Sequence, residues 1–405
     1  MVMMMRFRGT NGLSMNYYLV SCPFVEAVVK NVVNRALEDD PTLAAALLRM
    51  HFHDCFIQGC DGSVLIDSTK DNTAEKDSPA NLSLRGYEII DDIKEELERQ
   101  CPGVVSCADI LAMAARDAVF FAGGPVYEIP KGRKDGRRSK IEDTINLPSP
   151  TFNASELIRM FGQHGFSAQE MVALSGAHTL GVARCSSFKN RLSQADPTLD
   201  AEFAKTLSKT CGGGDSSEQP FDATRNDFDN LYYNALVRKS GVLTSDQTLY
   251  GSPRTKNIVN GYALNQAMFF FDFQQAMVKM SLLDVKDDDS EGEIKDMAKV
   301  TLSLFLMPKS STVPPLIFSR KSEKIMEKMH RAFEKVKLVV RMEREEDEQQ
   351  AAALEESNSF AFMDEFNRNC TLSTKQVSVF SSPTIDFRQI MVFFRLSSVW
   401  WLRKY

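Results

Sequence analysis

The stretch that decides the fold is Arg49-Met50-His51-Phe52-His53-Asp54-Cys55-Phe56-Ile57-Gln58-Gly59-Cys60-Asp61-Gly62-Ser63. It follows an apolar run, residues 43–48, that has strong helix formers and neither Gly nor Pro, which places residues 49–52 on a helix. On a helix Arg49 and His53 are four positions apart and project from one face, whereas His51 and His53 point away from each other. The spacing therefore pairs a permanent cation with one imidazole and argues against a chelating pair of histidines.

An Arg and a His on one helix face can cleave a peroxide. The imidazole takes the proton from one oxygen and returns it to the other, while the guanidinium stabilises the departing charge. The alternative is a core helix with a solvated Arg and a hydrogen-bonded His, and spacing alone does not separate the two interpretations. A zinc hydrolase built on the His, Asp and Cys residues is a weaker alternative, because the two histidines diverge.

The motif Arg-x-His-Phe-His-Asp-Cys followed by Gly-Cys-Asp-Gly-Ser resembles the distal helix of the class III (plant secretory) haem peroxidases. The resemblance implies that Arg49 and His53 are the distal catalytic pair and that Phe52 lines the haem pocket. Asn81 matches the family Asn that accepts the Nδ1–H of the distal His, which leaves Nε2 free to act as a base. Asn81-Leu82-Ser83 is also a glycosylation sequon, but a buried Asn could not carry a glycan.

A second motif, matching the proximal side of the family, is Ala173-Leu174-Ser175-Gly176-Ala177-His178-Thr179-Leu180-Gly181. A lone His on an apolar helix is usually a satisfied core residue, but the resemblance makes His178 the axial haem ligand. Asp246, which alone signals only a helix start, matches the carboxylate that accepts the Nδ1–H of that ligand. By the same resemblance Phe221 stacks near His178, and Pro148 contacts phenolic donors at the channel mouth; the alternative for Pro148 is a loop proline that stiffens the entrance.

Residues near Cys55 and Cys60 are rich in the oxygen donors that calcium prefers, although in isolation such a pattern more often describes an ordinary turn. The resemblance implies two calcium sites. The distal site takes side chains or carbonyls from Asp54, Ile57, Gly59, Asp61, Ser63 and Glu75. The proximal site takes Thr179, Asp222, Thr224 and Asp229 through side chains and Asp227 through its carbonyl, in a segment one residue shorter than the common family pattern.

Eight cysteines without paired CxxC spacing favour disulfides over zinc, and disulfides imply an oxidising compartment. The residues alone leave the connectivity open. The resemblance implies the pairs Cys22–Cys101, Cys55–Cys60 and Cys185–Cys211, and a fourth between Cys107 and a terminal Cys, for which Cys370 is the candidate. Residues 1–12 have no apolar signal-peptide core, so secretion to the apoplast or vacuole is expected from the cysteines and the resemblance.

The chain has 405 residues and a net charge of -6 without a basic block, which gives no reason to expect nucleic acid. No apolar run reaches the roughly 18 residues of a membrane span. The resemblance implies an all-α fold in which two helical sub-domains sandwich haem b, over residues 13–295. Residues 1–12 are an atypical start. Residues 296–405 are an atypical C-terminal region, with 296–366 interpreted as an insertion ahead of a displaced terminal Cys.

The implied function is the reduction of hydrogen peroxide coupled to one-electron oxidation of small phenolic donors, by a monomer with haem b and two calcium ions. Asp109 and Arg133 match a family ion pair, although alone both look like solvated surface charges. Ser106 is a plausible N-cap. Two alternatives from other classes are a catalytically impaired or misannotated paralogue and an interaction protein that acts through the charged segment 321–356.

Overall fold

The helix that carries Arg49 and His53 spans Leu43–Gln58 in the computed structural model, which describes residues 12–193 and 196–297. It continues well beyond residue 52, and the residue that follows its end, Gly59, has a φ of 97°. A Cβ at this position would lie 2.5 Å from the carbonyl oxygen of Asp284, so both the backbone angle and the close approach require glycine. This end of the helix therefore lies directly against the last described segment.

The described residues form twelve α-helices. They are α1 (Val25–Asp39), α2 (Leu43–Gln58), α3 (Tyr87–Gln100), α4 (Cys107–Phe121), α5 (Ala154–Gln163), α6 (Ala168–Ser175), α7 (Asn190–Ser193), α8 (Ala201–Cys211), α9 (Leu231–Val237), α10 (Thr244–Gly251), α11 (Lys256–Leu264) and α12 (Gln266–Met280). One antiparallel pair, β1 (Val182–Arg184) with β2 (Glu218–Pro220), is the only sheet in these ranges. The predicted all-α class is confirmed.

The helices pack as two neighbouring groups around apolar contacts. In one group α4 packs against α1, α2 and α3. In the other, α6 packs against α5 and α12, and α9 against α10 and α11. Most buried apolar side chains of both groups belong to one continuous cluster, and a smaller cluster surrounds Cys185 and Leu207. The expected arrangement of two helical groups is therefore present.

Three disulfides join the pairs that the resemblance implied. They are Cys22–Cys101, Cys55–Cys60 and Cys185–Cys211, with Cα–Cα distances of 5.7, 4.0 and 5.6 Å. Cys107 is buried and forms no disulfide with any described residue. Its expected partner Cys370 lies outside the described residues, as do the segment 321–356, the interpreted insertion from residue 298 onward, and residues 1–11.

An ion pair between Asp109 and Arg133 is completely buried. The Arg133 Nη1 donates to Asp109 Oδ1 at 2.8 Å, and both side chains have 0% exposure. Tyr18 donates its hydroxyl to the other carboxylate oxygen at 2.7 Å. The Ser106 hydroxyl accepts the backbone N–H of Asp109 at 3.2 Å, so Ser106 caps α4. The ion pair that the resemblance implied is therefore present, and the solvated surface charges that charge alone suggests are not, because each charge has a partner in the interior.

The segment that contains His178 differs from the predicted apolar helix. Helix α6 ends at Ser175, and the chain tightens into a 3₁₀ turn, Gly176–Thr179. A Cβ on Gly176 would lie 2.3 Å from the Tyr233 hydroxyl, so only glycine allows this close packing. The turn packs against α2, and Gly181 approaches Ala45 of that helix. The two motifs found in the sequence thus lie on segments that contact each other.

Candidate active site

His53 on α2 is held by a fixed hydrogen bond. Its Nδ1 lies 2.6 Å from Asn81 Oδ1, and Asn81 Nδ2 donates to the Glu75 carbonyl at 2.8 Å. Because the second bond orients the amide with its oxygen toward the ring, Nδ1 must carry the proton and Nε2 is left with a free lone pair. Burial, and then the nearby Arg49 charge, lower the pKa of His53 to about 3. The imidazole is therefore neutral and available as a base.

Arg49 is anchored by two hydrogen bonds from its guanidinium. Nη1 donates to the Ser83 hydroxyl and Nη2 to the Ala80 carbonyl, both at 2.9 Å. Burial is the main cause that lowers the pKa of Arg49 to about 10, and the charge of Arg184 acts in the same direction. The group thus stays charged at neutral pH. A positive charge is held one helical turn from a neutral base, which is the arrangement the spacing predicted.

His51 lies on the other side of α2. Its ring nitrogens approach Cys55 Sγ at 3.6 and 3.8 Å, and burial lowers its pKa to about 3. Cys55 and Cys60 share a disulfide, which removes both as thiolate ligands. The predicted divergence of the two histidines is present, and this cluster does not support a zinc site.

His178 is oriented by a buried carboxylate and an aromatic ring. Its Nδ1 lies 2.8 Å from Asp246 Oδ1, and its ring is parallel to that of Phe221 at 4.4 Å between centroids. Asp246 is 2% exposed, whereas the His178 side chain is 40% exposed. Because Nδ1 is occupied by Asp246, Nε2 is the nitrogen that the turn presents for another ligand.

Aromatic side chains line the neighbourhood of His53. Phe52 is half-buried and packs against Phe56 at 4.4 Å and Phe161 at 6.3 Å between ring centroids. Pro148 is half-buried in the loop that follows a 3₁₀ turn, Ile141–Asn146. That loop is tied to α10, because the Ser245 N–H donates to the Pro150 carbonyl at 3.0 Å. The loop of Pro148 is thereby fixed next to the helix that carries Asp246.

Three buried carboxyl groups, those of Asp54, Asp61 and Glu75, lie close together near the C-terminal end of α2. Burial first, and then the neighbouring carboxylates, raise the pKa of Asp54 to about 8 and that of Glu75 to about 9. The Ser63 hydroxyl donates to one Glu75 oxygen at 3.2 Å, and the other Glu75 oxygen is buried without a hydrogen-bond partner. Lys286 pairs with Asp61. The cluster therefore buries more carboxyl groups than its cationic partner could neutralise if all were ionised. The Ile57 carbonyl, another predicted ligand, accepts from Asn146 Nδ2 at 3.2 Å.

A second oxygen cluster joins the His178 turn to the loop before α9. The Thr179 hydroxyl lies 2.7 Å from Asp222 and 3.0 Å from Asp229, and the Thr224 hydroxyl lies 2.9 Å from Asp229. Burial raises the pKa of Asp222, and Asp229 acts in the same direction. Asp227 belongs to the same loop through its N–H, which donates to the Thr224 carbonyl at 2.8 Å. The five residues of the predicted proximal set are thus in one place.

Several residues of the site were missed from the sequence. Tyr232 donates its hydroxyl to Asp246 at 3.0 Å, Lys286 pairs with Asp61, and Ser83 anchors Arg49. Ser83 carries a weak signal as the Ser of the Asn81-Leu82-Ser83 sequon, but that motif indicates glycosylation and not an anchor for Arg49. No local spacing marks Lys286 or Tyr232, since each meets its partner through the tertiary fold.

Comparison of the sequence with known proteins places the chain in a family. A model of the peroxidase family matches residues 29–265. Peroxidase 47 of Arabidopsis thaliana is 75% identical over 284 residues, which cover 70% of this chain and 87% of the relative. Peroxidase 64 of Arabidopsis thaliana is 50% identical over 278 residues, which cover 66% of this chain and 88% of the relative. Peroxidase 5 of Vitis vinifera is 46% identical over 300 residues, which cover 71% of this chain and 91% of the relative.

Proposed function

The chain belongs to the class III plant peroxidases, and from this premise we propose that Arg49, His53 and Asn81 assist the reduction of hydrogen peroxide by a haem that His178 would hold. The family makes the protein a haem peroxidase, an oxidoreductase that acts on hydrogen peroxide and a donor. One observation carries the assignment of residues. His53 and His178 lie on segments that contact each other, and the Nδ1 of each is hydrogen-bonded to a buried partner. The Nε2 atom of each ring is therefore the one available to a substrate or an iron.

The residues of the proximal turn fit a haem iron. His178 would bind the iron through Nε2, since its Nδ1 is hydrogen-bonded to a carboxylate, the usual arrangement around an axial histidine. The side chain is partly exposed, so another group can approach it, and Phe221 stacks against its ring. A bound haem supplies the iron at which the peroxide is reduced and through which donor electrons return.

The distal residues move the proton and stabilise charge. His53 Nε2 takes the proton from one peroxide oxygen and returns it to the other, which leaves as water, while the electrons would come from the bound haem. The Arg49 guanidinium, charged at neutral pH, stabilises negative charge on the departing oxygen. Asn81 keeps the proton on Nδ1, so that Nε2 is never the protonated nitrogen of the neutral ring.

We propose that the donors are small phenols oxidised in two one-electron steps. Each of two donor molecules loses one electron and one proton, which restores the resting enzyme. Pro148, half-buried on the loop tied to α10, is the proposed donor contact. The support for this step is the family resemblance together with the position of that loop.

Both oxygen clusters fit calcium. In the cluster around Asp54 and Glu75, one buried carboxylate oxygen has no partner and two carboxyls have a raised pKa, and a hard cation would stabilise both features. We propose one ion bound by Asp54, Asp61, Ser63, Glu75 and the carbonyls of Ile57 and Gly59. A second would be bound by Thr179, Asp222, Thr224, Asp227 and Asp229. Because Asp54 adjoins His53 and the Glu75 carbonyl holds Asn81, the distal ion would brace the catalytic base.

We also propose a secreted monomer, located in the apoplast or vacuole. The three disulfides are typical of an oxidising compartment. Within the described ranges, no helix is both long and apolar enough to cross a membrane.

The test is the rate at which haem-loaded protein reacts with peroxide, followed by stopped-flow absorbance. His53→Leu and Arg49→Leu are expected to slow this reaction by about 10²- to 10⁴-fold, because each removes a group that acts on the breaking bond. His164→Leu is the matched control, since His164 is half-buried against Phe56 and away from Asn81. A His53→Leu variant that reacts as fast as the control would refute the assignment.

A further inference from the structure

Two hydrogen-bond donors converge on one oxygen of Asp246. His178 Nδ1 lies 2.8 Å from Asp246 Oδ1, and the Tyr232 hydroxyl donates to the same oxygen at 3.0 Å. The other oxygen, Oδ2, accepts only a long backbone bond from Leu243 at 3.2 Å among the described residues. The oxygen that serves His178 is therefore shared.

The position of Tyr232 is tightly fixed. Its side chain is buried with the residue only 1% exposed, and its ring meets the His178 ring edge-on at 6.0 Å and 84°. Phe221 stacks against the His178 ring but has no donor to offer Asp246. Burial and the charge of Asp246 raise the pKa of Tyr232 well above its usual value, so the phenol keeps its proton and remains a donor.

We propose that Tyr232 is a positioning residue that limits how strongly Asp246 polarises His178 and thereby sets the reduction potential of the bound iron. The inference rests on the proposed role of His178 as axial ligand. It assigns to Tyr232 a role through Asp246 and not through contact with the haem or substrate.

The physical reason is competition for one acceptor. A carboxylate oxygen that accepts a phenol hydrogen bond shares its charge with that donor and is a weaker acceptor for a second one. With Tyr232 in place, the Nδ1–H of His178 is pulled less strongly toward Asp246, so the imidazole has less imidazolate character. A less anionic axial ligand stabilises the oxidised iron less, and the potential is higher than it would be without the hydroxyl.

The test is Tyr232→Phe in the haem-loaded chain, with two readouts besides activity. One is the midpoint potential of the ferric/ferrous couple, and the other is the iron–histidine stretching band of the ferrous protein in resonance Raman. The potential is expected to shift downward and the band to higher frequency, because Asp246 now acts on His178 alone. Replacement of Tyr232 by 3-fluorotyrosine, a stronger donor of similar size, should shift both readouts the other way.

Tyr262→Phe is the matched control. Tyr262 is another buried tyrosine, and its hydroxyl donates to Asp272 at 2.6 Å and not to Asp246. This variant is expected to leave the potential and the band unchanged. In an Asp246→Asn background the effect of Tyr232→Phe should largely disappear, because the charge through which the tyrosine acts is gone.

Four outcomes would overturn the inference. Unchanged readouts in Tyr232→Phe would show that the hydroxyl does not modulate Asp246. A lower stretching frequency with a higher potential would show that the tyrosine only holds Asp246 in place. Equal shifts with and without the Asp246 charge would show that it acts by another route. If the wild-type protein lacks an iron–histidine band altogether, the proposed axial ligation fails, and the inference fails with it.

Discussion

The Nδ1 atom of His53 lies 2.6 Å from the side-chain oxygen of Asn81, which is 28 positions further along the chain. The amide is itself oriented by the Glu75 carbonyl. This connection selects one tautomer of the buried imidazole. The orientation of His53, the proposed catalytic base, therefore depends on a residue that does not lie on α2.

Asn81→Ala is expected to slow the reaction with peroxide by about 10- to 100-fold, because the ring loses the acceptor that fixes its tautomer and orientation. The measurement is the stopped-flow rate of the haem-loaded variant. Asn34→Ala is the control, since Asn34 lies on α1 and donates only to the exposed Glu38. Equal rates for the two variants would refute the role of Asn81.

Calcium removal is expected to destabilise the protein more as the pH rises. In the unfolded chain the carboxyls of Asp54 and Glu75 titrate near 3.8 and 4.5, whereas the folded values are raised to about 8 and about 9. The calcium-free folded state thus binds more protons than the unfolded state between these limits. Its free energy of unfolding should fall as the pH rises from about 5 to about 8.

Calcium needs the ionised carboxylates, so its binding strengthens over the same range. Urea unfolding at pH 5 and pH 8, with calcium and with a chelator, measures both effects. The gap in free energy of unfolding between the two conditions should be larger at pH 8. A gap that is equal at both pH values, or larger at pH 5, would contradict the proposed distal ligands.

Asp109→Ala should lower the free energy of unfolding by about 3–5 kcal/mol, because it leaves the buried Arg133 charge without its partner. Asp215→Ala breaks the Lys189–Asp215 pair, in which the side chains are 57% and 65% exposed, and should cost less than about 1 kcal/mol. Chemical denaturation of both variants checks this contrast. Similar losses would mean that burial does not decide the strength of these pairs.

Removal of the Cys22–Cys101 disulfide should cost more than removal of Cys55–Cys60. The bonded residues are 79 and 5 positions apart, and loop-closure entropy then predicts losses of about 4.5 and about 2 kcal/mol. Paired Cys→Ala variants, unfolded in urea with calcium present, test the order. If the short-loop variant loses as much or more, local structure around Cys60 outweighs chain entropy.

Local pattern was enough to predict the helical face that carries Arg49 and His53, the cap at Ser106, and the divergence of His51. Each of these depends on spacing within a few residues, which a helix converts directly into geometry. The ligand sets and the disulfide pairs came from the family resemblance, since spacing alone left the connectivity open. The ending of α6 before His178 was not predicted, although Gly176 at that point is a helix-stop signal. The close packing of Gly176 against Tyr233 appears only in the tertiary fold.

Long-range partners were the part that the sequence could not supply. Tyr18 meets Asp109 across 91 positions, and Lys286 meets Asp61 across 225. No periodicity marks such contacts, because they form only when separate elements pack. Charge alone would have placed Asp109 and Arg133 in solvent. Their pairing was expected only from the family resemblance, and the tertiary fold adds that both are fully buried.

The most direct test is the absorption spectrum of the haem-reconstituted protein, with and without hydrogen peroxide, beside His178→Ala and the control His164→Ala. The account predicts a Soret band that shifts with peroxide in the wild-type and His164→Ala proteins and is disrupted in His178→Ala. A folded wild-type protein that takes up no haem, or a His178→Ala variant with an unchanged band and response, would contradict it.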